Sequence, residues 1–168
     1  RKSVQEILNQ IDIDCICLVS LNGRLVSSDD IKYYSKQGIL LIEDQAEAFI
    51  SHYEKSIREQ FIFMSTLSFY ANKIITCGEG GAVCFSNNNI YEWVTTYVNH
   101  GMDMPGSYYH QMPGSNYRMS SFNAGLLRGQ LERLNKIVNH RRWVWSNFSS
   151  IISEINNLYS YTEIPWLL

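Results

Sequence analysis

Two short apolar runs joined by one helical segment constrain the fold of this chain most strongly. The runs are residues 13–19 (Ile-Asp-Cys-Ile-Cys-Leu-Val) and residues 39–42 (Ile-Leu-Leu-Ile). Between them, Ser27 and the acids that follow it favour the start of a helix that runs to Tyr34, and Gly38 favours its end. Strands that are apolar on both faces are typical of parallel sheets covered by helices. The pattern predicts a βαβ unit with largely buried strands, and therefore an α/β fold with a mostly parallel sheet flanked by helices.

The rest of the chain continues this alternation and ends in helices. Further strands are predicted in residues 61–69 and 82–85, a loop in residues 101–114, and helices over residues 4–11, over residues 90–98 and from Met119 onward. The last region carries an apolar stripe at helical spacing, which predicts core or a dimer surface: Leu127, Leu131, Leu134, Val138, Val144, Phe148, Ile151 and Ile155. Gly125 and Gly129 would permit a close helix approach, and residues 140–142 (His-Arg-Arg) are expected to be a solvated face.

The composition limits the classes of partner. The 168 residues are 45% hydrophobic, which suits one domain with one sizeable core. Fourteen basic against sixteen acidic residues give a net charge of −2, which argues against binding to nucleic acid or to anionic membranes. No apolar run has the length of a membrane span or of a signal-peptide core, and the four cysteines show no zinc spacing. The sequence predicts a cytoplasmic protein without a metal site.

Asp44 and Lys73 follow predicted strands at positions that suit chemistry. Ligands of open α/β sheets bind beyond the carboxyl ends of the strands, where Asp44 lies, although an acid that caps the next helix is an equally good interpretation. Lys73 follows an apolar-aromatic stretch (residues 61–71) and precedes a glycine-rich turn (residues 78–81). Partial burial favours the neutral amine that Schiff-base chemistry requires, but spacing alone more often indicates a surface lysine.

Four ordered segments carry a specific resemblance. They are residues 43–48 (Glu-Asp-Gln-Ala-Glu-Ala), 68–81 (beginning Ser-Phe-Tyr-Ala-Asn-Lys), 99–103 (Asn-His-Gly-Met-Asp) and 116–120 (Asn-Tyr-Arg-Met-Ser). In order and spacing they resemble the DegT/DnrJ/EryC1/StrS family of aminotransferases, which use pyridoxal 5′-phosphate (PLP) to act on nucleotide-linked keto-sugars. The second and third segments are most similar to the GDP-perosamine synthase branch. The resemblance extends from Cys15 to Arg142 and implies the large domain of the type I, aspartate aminotransferase-like fold.

The resemblance also implies a role for each matching residue. Lys73 would attach PLP covalently and move the proton between substrate carbon and cofactor. Asp44 would pair with the pyridine nitrogen, so that the ring can accept electrons. Ser68 would bind the cofactor phosphate, and Asn116 would reach the phosphate bound by a neighbouring subunit, which makes the site a property of a homodimer.

Glu47 is a departure within the first segment. The family usually has Gln or His at this position, near the phenolic hydroxyl of the cofactor. A carboxylate that faces the phenolic oxygen would be repulsive unless one of the two is protonated. The resemblance therefore implies that Glu47 is a cofactor-binding position at which a carboxylate would disfavour an ionised phenolic oxygen of PLP.

The resemblance implies the function and the domain organisation. Residues 1–142 would form the central part of the PLP-binding large domain, and residues 143–168 a helix and tail that lead towards a missing or truncated small domain. The implied reaction transfers an amino group from glutamate to the 4-keto group of a nucleotide-linked deoxysugar, as in lipopolysaccharide O-antigen synthesis. The alternative is a truncated or divergent non-catalytic relative that keeps the fold and the dimer surface.

Overall fold

A mostly parallel sheet forms the centre of the fold. The computed structural model describes residues 6–8, 11–49, 60–85, 87–104 and 106–154. Within this part of the chain the sheet has four strands in the order β1-β2-β3-β4. Strands β1 to β3 are parallel, and β4 pairs antiparallel with β3. The strands are β1 (Cys15–Val19), β2 (Leu40–Asp44), β3 (Met64–Ser68) and β4 (Gly81–Phe85). The predicted α/β class with a mostly parallel sheet is confirmed.

Helices connect and follow the strands. Between β1 and β2 lie a 3-10 turn (Leu21–Gly23) and helix α1; beyond β4 come helices α2, α3 and α4. Side chains cap three of the helices: Ser27 accepts a hydrogen bond from the Asp30 amide at the start of α1, and Asn87 and Ser120 serve α2 and α3 in the same way. The helices are α1 (Ser28–Lys36), α2 (Asn88–Val98), α3 (Ser121–Leu131) and α4 (Leu134–Glu154).

One face of β1 and β2 forms a core with α1. The buried residues of this core are Leu18, Ile31, Tyr34, Ile39 and Leu41. The expectation that β1 is largely buried is wrong, because its alternate residues Cys15, Cys17 and Val19 are exposed on the other face. Among the described helices, α1 covers the Leu18 face only, so the β1 side chains that point the other way stay open.

A second core lies between the β3–β4 connection and the helices α3 and α4. Its buried members are Phe69, Ile75, Cys77 and Leu127, with half-buried Leu67, Met119, Leu134 and Ile137 packed against them. This core holds the loop that joins β3 to β4 against α3.

The helical stripe divides into two parts. In its first half Leu127 and Val138 are buried and Leu134 is half-buried, but Leu131 is 42% exposed. In its second half Val144, Phe148 and Ile151 are exposed, and Ile155 lies outside the described residues. Apart from neighbouring atoms of its own helix, nothing lies within 4 Å of a Cβ placed on Gly125 or Gly129, so within the described part of the chain no second helix makes the close approach that these glycines would permit. The boundary predicted at residues 142/143 falls inside the continuous helix α4, and the assignment of residues 143–168 stays a prediction.

The predicted helical regions at the two ends of the chain agree with the structure in part. Of the helix predicted over residues 4–11, the structure describes helical backbone at residues 6–8. The helical region after Met119 is two helices separated by a turn at residues 132–133. His140 and Arg141 are exposed as expected, and Arg142 is half-buried.

Candidate active site

Asp44 ends β2 at the carboxyl edge of the sheet, the edge at which the parallel strands β1, β2 and β3 all end. Its side chain is half-buried, and Oδ1 accepts hydrogen bonds from the Ala46 amide (2.9 Å) and the Thr66 hydroxyl (3.3 Å). Asp44 is paired with Thr66 in the strand register, so both side chains project from the same face of the sheet. Within the described part of the chain Oδ2 accepts no hydrogen bond, which leaves it available to a donor on a ligand.

Ser68 ends the neighbouring strand β3 on that same face. It follows Thr66 by two residues, which places it about 7 Å further along the strand. Its Oγ accepts a hydrogen bond from the Tyr70 amide at 3.3 Å. The Ser68 hydroxyl donates to no described group, so its proton is free for an anionic ligand.

Lys73 lies in the loop that leaves the carboxyl end of β3. The side chain is half-buried, and the backbone amide donates to the Tyr70 carbonyl oxygen at 3.0 Å. Its ammonium forms no hydrogen bond or ion pair with any residue that the structure describes. An amine that is partly shielded from water and not engaged by a carboxylate suits reaction with a carbonyl group.

The backbone of the Lys73 loop is held at several points. The Phe69 amide donates to Gly80 O (2.8 Å), and the Cys77 amide and the Thr76 hydroxyl both donate to Phe69 O (3.0 and 2.9 Å). The Thr76 amide donates to Gln130 Oε1 of α3 at 2.9 Å. These contacts and the buried Phe69 and Cys77 fix the loop to the core. Lys73 is therefore carried by a well-anchored loop, unlike a typical surface lysine.

Glu47 lies in the turn that follows β2, at the same edge of the sheet. Its side chain is exposed, and Oε2 accepts a hydrogen bond from the backbone amide of Asn22 at 2.6 Å. Asn22 belongs to the turn that follows β1 and has a φ of +53°. Glu47 thus joins two turns at the carboxyl edge.

Asn116 lies in the segment between α2 and α3. Its backbone forms an isolated antiparallel bridge with Asn99, and its side-chain oxygen accepts from the amide and Nε of Arg118, each at 3.3 Å. The residue is exposed and forms no hydrogen bond with Asp44, Ser68 or Lys73 among the described contacts. The structure therefore places Asp44, Glu47, Ser68 and Lys73 at one edge of the sheet and joins Asn116 to none of them by a described hydrogen bond.

Two residues of this region, Thr66 and Glu43, were not predicted from the sequence to belong to the site. Thr66 donates a hydrogen bond to the Asp44 carboxylate. The sequence indicates its location, because Thr66 precedes Ser68 by two residues and the two therefore share one face of a strand. Glu43 is fully buried directly before Asp44, and its signal was an acid at the end of an apolar strand.

No described helix combines the length and the apolar character that a bilayer crossing requires. Of the four cysteines, Cys77 is buried, and all four are free thiols.

Polar side chains at the carboxyl edge of a mostly parallel sheet are typical of α/β proteins that bind a ligand beyond their strand ends. Comparison with known proteins identifies the family to which this chain belongs. The chain matches the DegT/DnrJ/EryC1/StrS aminotransferase family over residues 2–166 and belongs to that family. The aminotransferases of this family are PLP-dependent.

Several relatives are similar over most of this chain. A GDP-perosamine synthase of Vibrio cholerae is 36% identical over 83% of the chain and 39% of its own length. A GDP-perosamine synthase of Escherichia coli O157:H7 is 31% identical over 88% of the chain and 41% of its own length. The crystal structure of a 3-amino-5-hydroxybenzoic acid synthase superimposes with a TM-score of 0.73 at 27% identity and covers 90% of this chain and 41% of the other. The chain thus spans well under half the length of these relatives.

The groups at the carboxyl edge fit PLP in their chemistry. PLP carries an aldehyde, a ring nitrogen that binds a proton, and a phosphate. Lys73 offers a primary amine. Asp44 has a carboxylate oxygen that accepts no described hydrogen bond, and the Ser68 hydroxyl can still donate one. Each of the three groups of the cofactor therefore has a complementary group at this edge.

Proposed function

We propose that this chain is the central part of the large domain of a PLP-dependent aminotransferase. Its reaction would transfer an amino group from glutamate to the 4-keto group of a nucleotide-linked deoxysugar, as the motif resemblance implies, and two of its relatives are GDP-perosamine synthases. Family membership over residues 2–166 supports the class of reaction. The substrate rests on the motif resemblance and on those relatives, and the cytoplasmic location stays a prediction from the sequence.

One observation carries the proposal: three chemically distinct groups meet at the carboxyl edge of the sheet. The Asp44 carboxylate and the Ser68 hydroxyl lie on one face of neighbouring strands, and the anchored loop that follows Ser68 presents the Lys73 amine. An isolated lysine or acid would support no particular chemistry. An acceptor, a donor and an amine in this order along the chain and at one edge support a PLP site.

Each residue would have a separate task. The Asp44 carboxylate would accept a hydrogen bond from the protonated ring nitrogen and keep that proton in place. The Ser68 hydroxyl would donate to a phosphate oxygen, with the Tyr70 amide holding the hydroxyl in orientation at 3.3 Å. The Lys73 amine would bind the cofactor and then take and return the proton of the reacting carbon. Bound PLP would supply the electron sink for this proton transfer.

The proposed transfer of the amino group conserves atoms and electrons. Glutamate gives up its amino group and two electrons and, with the oxygen of one water molecule, leaves as 2-oxoglutarate. The keto-sugar then receives the nitrogen at its carbonyl carbon and leaves as the amino-sugar, while the carbonyl oxygen departs as water. Lys73 would serve as the proton carrier in both halves, and Asp44 would keep its contact with the ring nitrogen throughout.

Asn116 would complete the site of a second subunit. It is exposed, makes no described hydrogen bond with the other three residues, and lies on a segment held by its bridge to Asn99. An exposed amide on a fixed segment can reach a phosphate bound by a neighbouring copy. We therefore propose a homodimer with shared sites.

The test uses the full natural polypeptide. We expect purified protein with PLP to transfer isotopically labelled nitrogen from glutamate to a GDP-linked 4-keto-6-deoxysugar, as detected by mass spectrometry of the sugar product. A UDP-linked keto-sugar in parallel reactions tests the choice of nucleotide.

The non-catalytic alternative predicts a different result. A protein that takes up no PLP, or that binds PLP and transfers no nitrogen to any keto-sugar offered, contradicts the proposed activity. The Lys73→Ala variant is the matched control, since it should transfer none.

A further inference from the structure

The acid that precedes Asp44 is the most deeply buried charged residue described. Glu43 is 0% exposed, and its position in β2 pairs with Leu18 on the face that α1 covers. Its Oε1 accepts a hydrogen bond from Ser20 Oγ (2.9 Å) and its Oε2 one from Gln45 Nε2 (2.8 Å). Ser20 and Gln45 are also buried. A carboxylate in such surroundings is costly unless it is well hydrogen-bonded, so these contacts are required for Glu43 to stay there.

The same two donors also hold the backbone around Asp44. The Ser20 amide donates to the Asp44 carbonyl oxygen at 3.0 Å, and the Gln45 amide donates to Thr66 O at 2.9 Å. Ser20 and Gln45 are thus each fixed twice, by a backbone bond to the sheet and by a side-chain bond to Glu43. Asp44 lies between Glu43 and Gln45 in the chain, and both neighbours are held.

Adjacent residues of a strand point to opposite faces, which links the two acids mechanically. Glu43 points into the core under α1, and Asp44 points to the face that carries Thr66 and Ser68. Anchoring Glu43 on one side restrains the backbone at Asp44, which favours the contacts of the Asp44 carboxylate with the Thr66 hydroxyl and the Ala46 amide.

We propose that Ser20, Glu43 and Gln45 form a clamp that positions the Asp44 carboxylate for its ligand. Glu43 is then a positioning residue that acts through Asp44 and touches neither cofactor nor substrate. The ligand of Asp44 is PLP, and in this respect the inference rests on the proposed function. The clamp itself exists without the cofactor and can be measured without it.

Hydrogen bonding, and not the charge of Glu43, is the property that the clamp needs. A glutamine can replace both bonds, because its carbonyl accepts from the Gln45 amide group and its NH₂ donates to Ser20 Oγ. Leucine has a similar volume and offers neither. Glu43→Gln is therefore the conservative variant, Glu43→Leu the disruptive one, and Ser20→Ala a milder loss of one bond.

The first measurement is amide hydrogen exchange in the full natural polypeptide without cofactor. The Ala46 amide reports on Asp44 directly, since it donates to Asp44 Oδ1. We expect Glu43→Leu to speed its exchange by about tenfold or more, Ser20→Ala by less, and Glu43→Gln hardly at all. Glu92→Leu, at an exposed position of α2, is the control for a surface Glu-to-Leu change. Unchanged Ala46 exchange in both Glu43→Leu and Ser20→Ala would overturn the clamp.

The second measurement is the dissociation constant for PLP in a double-mutant cycle. We expect Glu43→Leu to weaken PLP binding by about tenfold, and Glu43→Leu with Asp44→Asn to bind no more weakly than Asp44→Asn alone. Multiplied effects in the double variant would mean that Glu43 acts on the fold and not through Asp44. A wild-type protein that binds no PLP would contradict the proposed function, while the exchange of the Ala46 amide would still decide the clamp.

Discussion

The Glu47 carboxylate accepts a hydrogen bond from the backbone amide of Asn22 at 2.6 Å. This contact spans 25 residues and joins the turn after β1 to the turn after β2. Asn22 has a φ of +53°, a left-handed conformation that asparagine tolerates better than most residues. Glu47 thereby has a structural task at the carboxyl edge besides any contact with a ligand.

The first prediction concerns the charge of Glu47. Glutamine keeps a carbonyl oxygen for the Asn22 amide and adds an NH₂ donor for the phenolic oxygen of PLP. We expect Glu47→Gln to bind PLP about tenfold more tightly, equivalent to roughly 1.4 kcal/mol, in an absorbance titration. Glu92→Gln, on the exposed surface of α2, should change nothing. Weaker binding of PLP by Glu47→Gln would show that the phenolic oxygen is not the neighbour of this carboxylate.

The second prediction concerns Lys73. Its side chain makes no described hydrogen bond, and the loop is held by backbone contacts and by Phe69 and Cys77. Lys73→Ala should therefore leave thermal unfolding almost unchanged. It should abolish both the visible absorbance of covalently attached PLP and its fixation by borohydride. A yellow, active variant would exclude Lys73 as the attachment point.

The third prediction separates binding from turnover at Asp44. Asparagine keeps the acceptor for Ala46 and Thr66 but removes the negative charge opposite the ring nitrogen. Asp44→Asn should still take up PLP and lose roughly two to three orders of magnitude in kcat. Asp29→Asn, an exposed acid of α1, is the control. Turnover near the wild-type value would remove Asp44 from the cofactor.

The fourth prediction tests the shared site. Lys73→Ala and Asn116→Ala subunits are each expected to be weak as homodimers. Mixing them should restore one site per heterodimer, because that site takes its lysine from one chain and its asparagine from the other. The second site carries both lesions and stays inactive. If subunit exchange is verified and mixing restores no activity, Asn116 does not serve a neighbouring subunit.

The fifth prediction concerns stability. Ile31 is 0% exposed in the core between α1 and the sheet. Ile31→Ala should lower the free energy of unfolding by about 2–5 kcal/mol, since it leaves a cavity that the rigid sheet cannot fill. Ile11, at 57% exposure, provides the comparison: Ile11→Ala should cost less than about 0.5 kcal/mol. Equal losses in denaturant titrations would contradict the packing of this core.

Local patterns in the sequence were sufficient to predict most of the elements. Caps, glycines and apolar spacing act over a few residues, and α1 begins after Ser27 and is followed by Gly38 at a φ of +76° as those rules require. The same locality explains an error. The apolar residues of β1 predicted burial on both faces, but burial depends on what covers each face, and α1 covers the Leu18 face only.

The sequence alone thus determined the βαβ unit, the acid at the end of β2 and the lysine loop. These features depend on the secondary-structure preferences of neighbouring residues and on motif spacing, both of which can be taken directly from the order of residues in the chain. Tertiary structure decided how these parts meet. The strand register placed Thr66 beside Asp44. The fold also brought Ser20, which is 23 residues away in the chain, within hydrogen-bonding distance of the buried Glu43. Two adjacent acids received opposite environments, because neighbouring side chains of a strand face opposite sides and only the packed fold determines which side is covered.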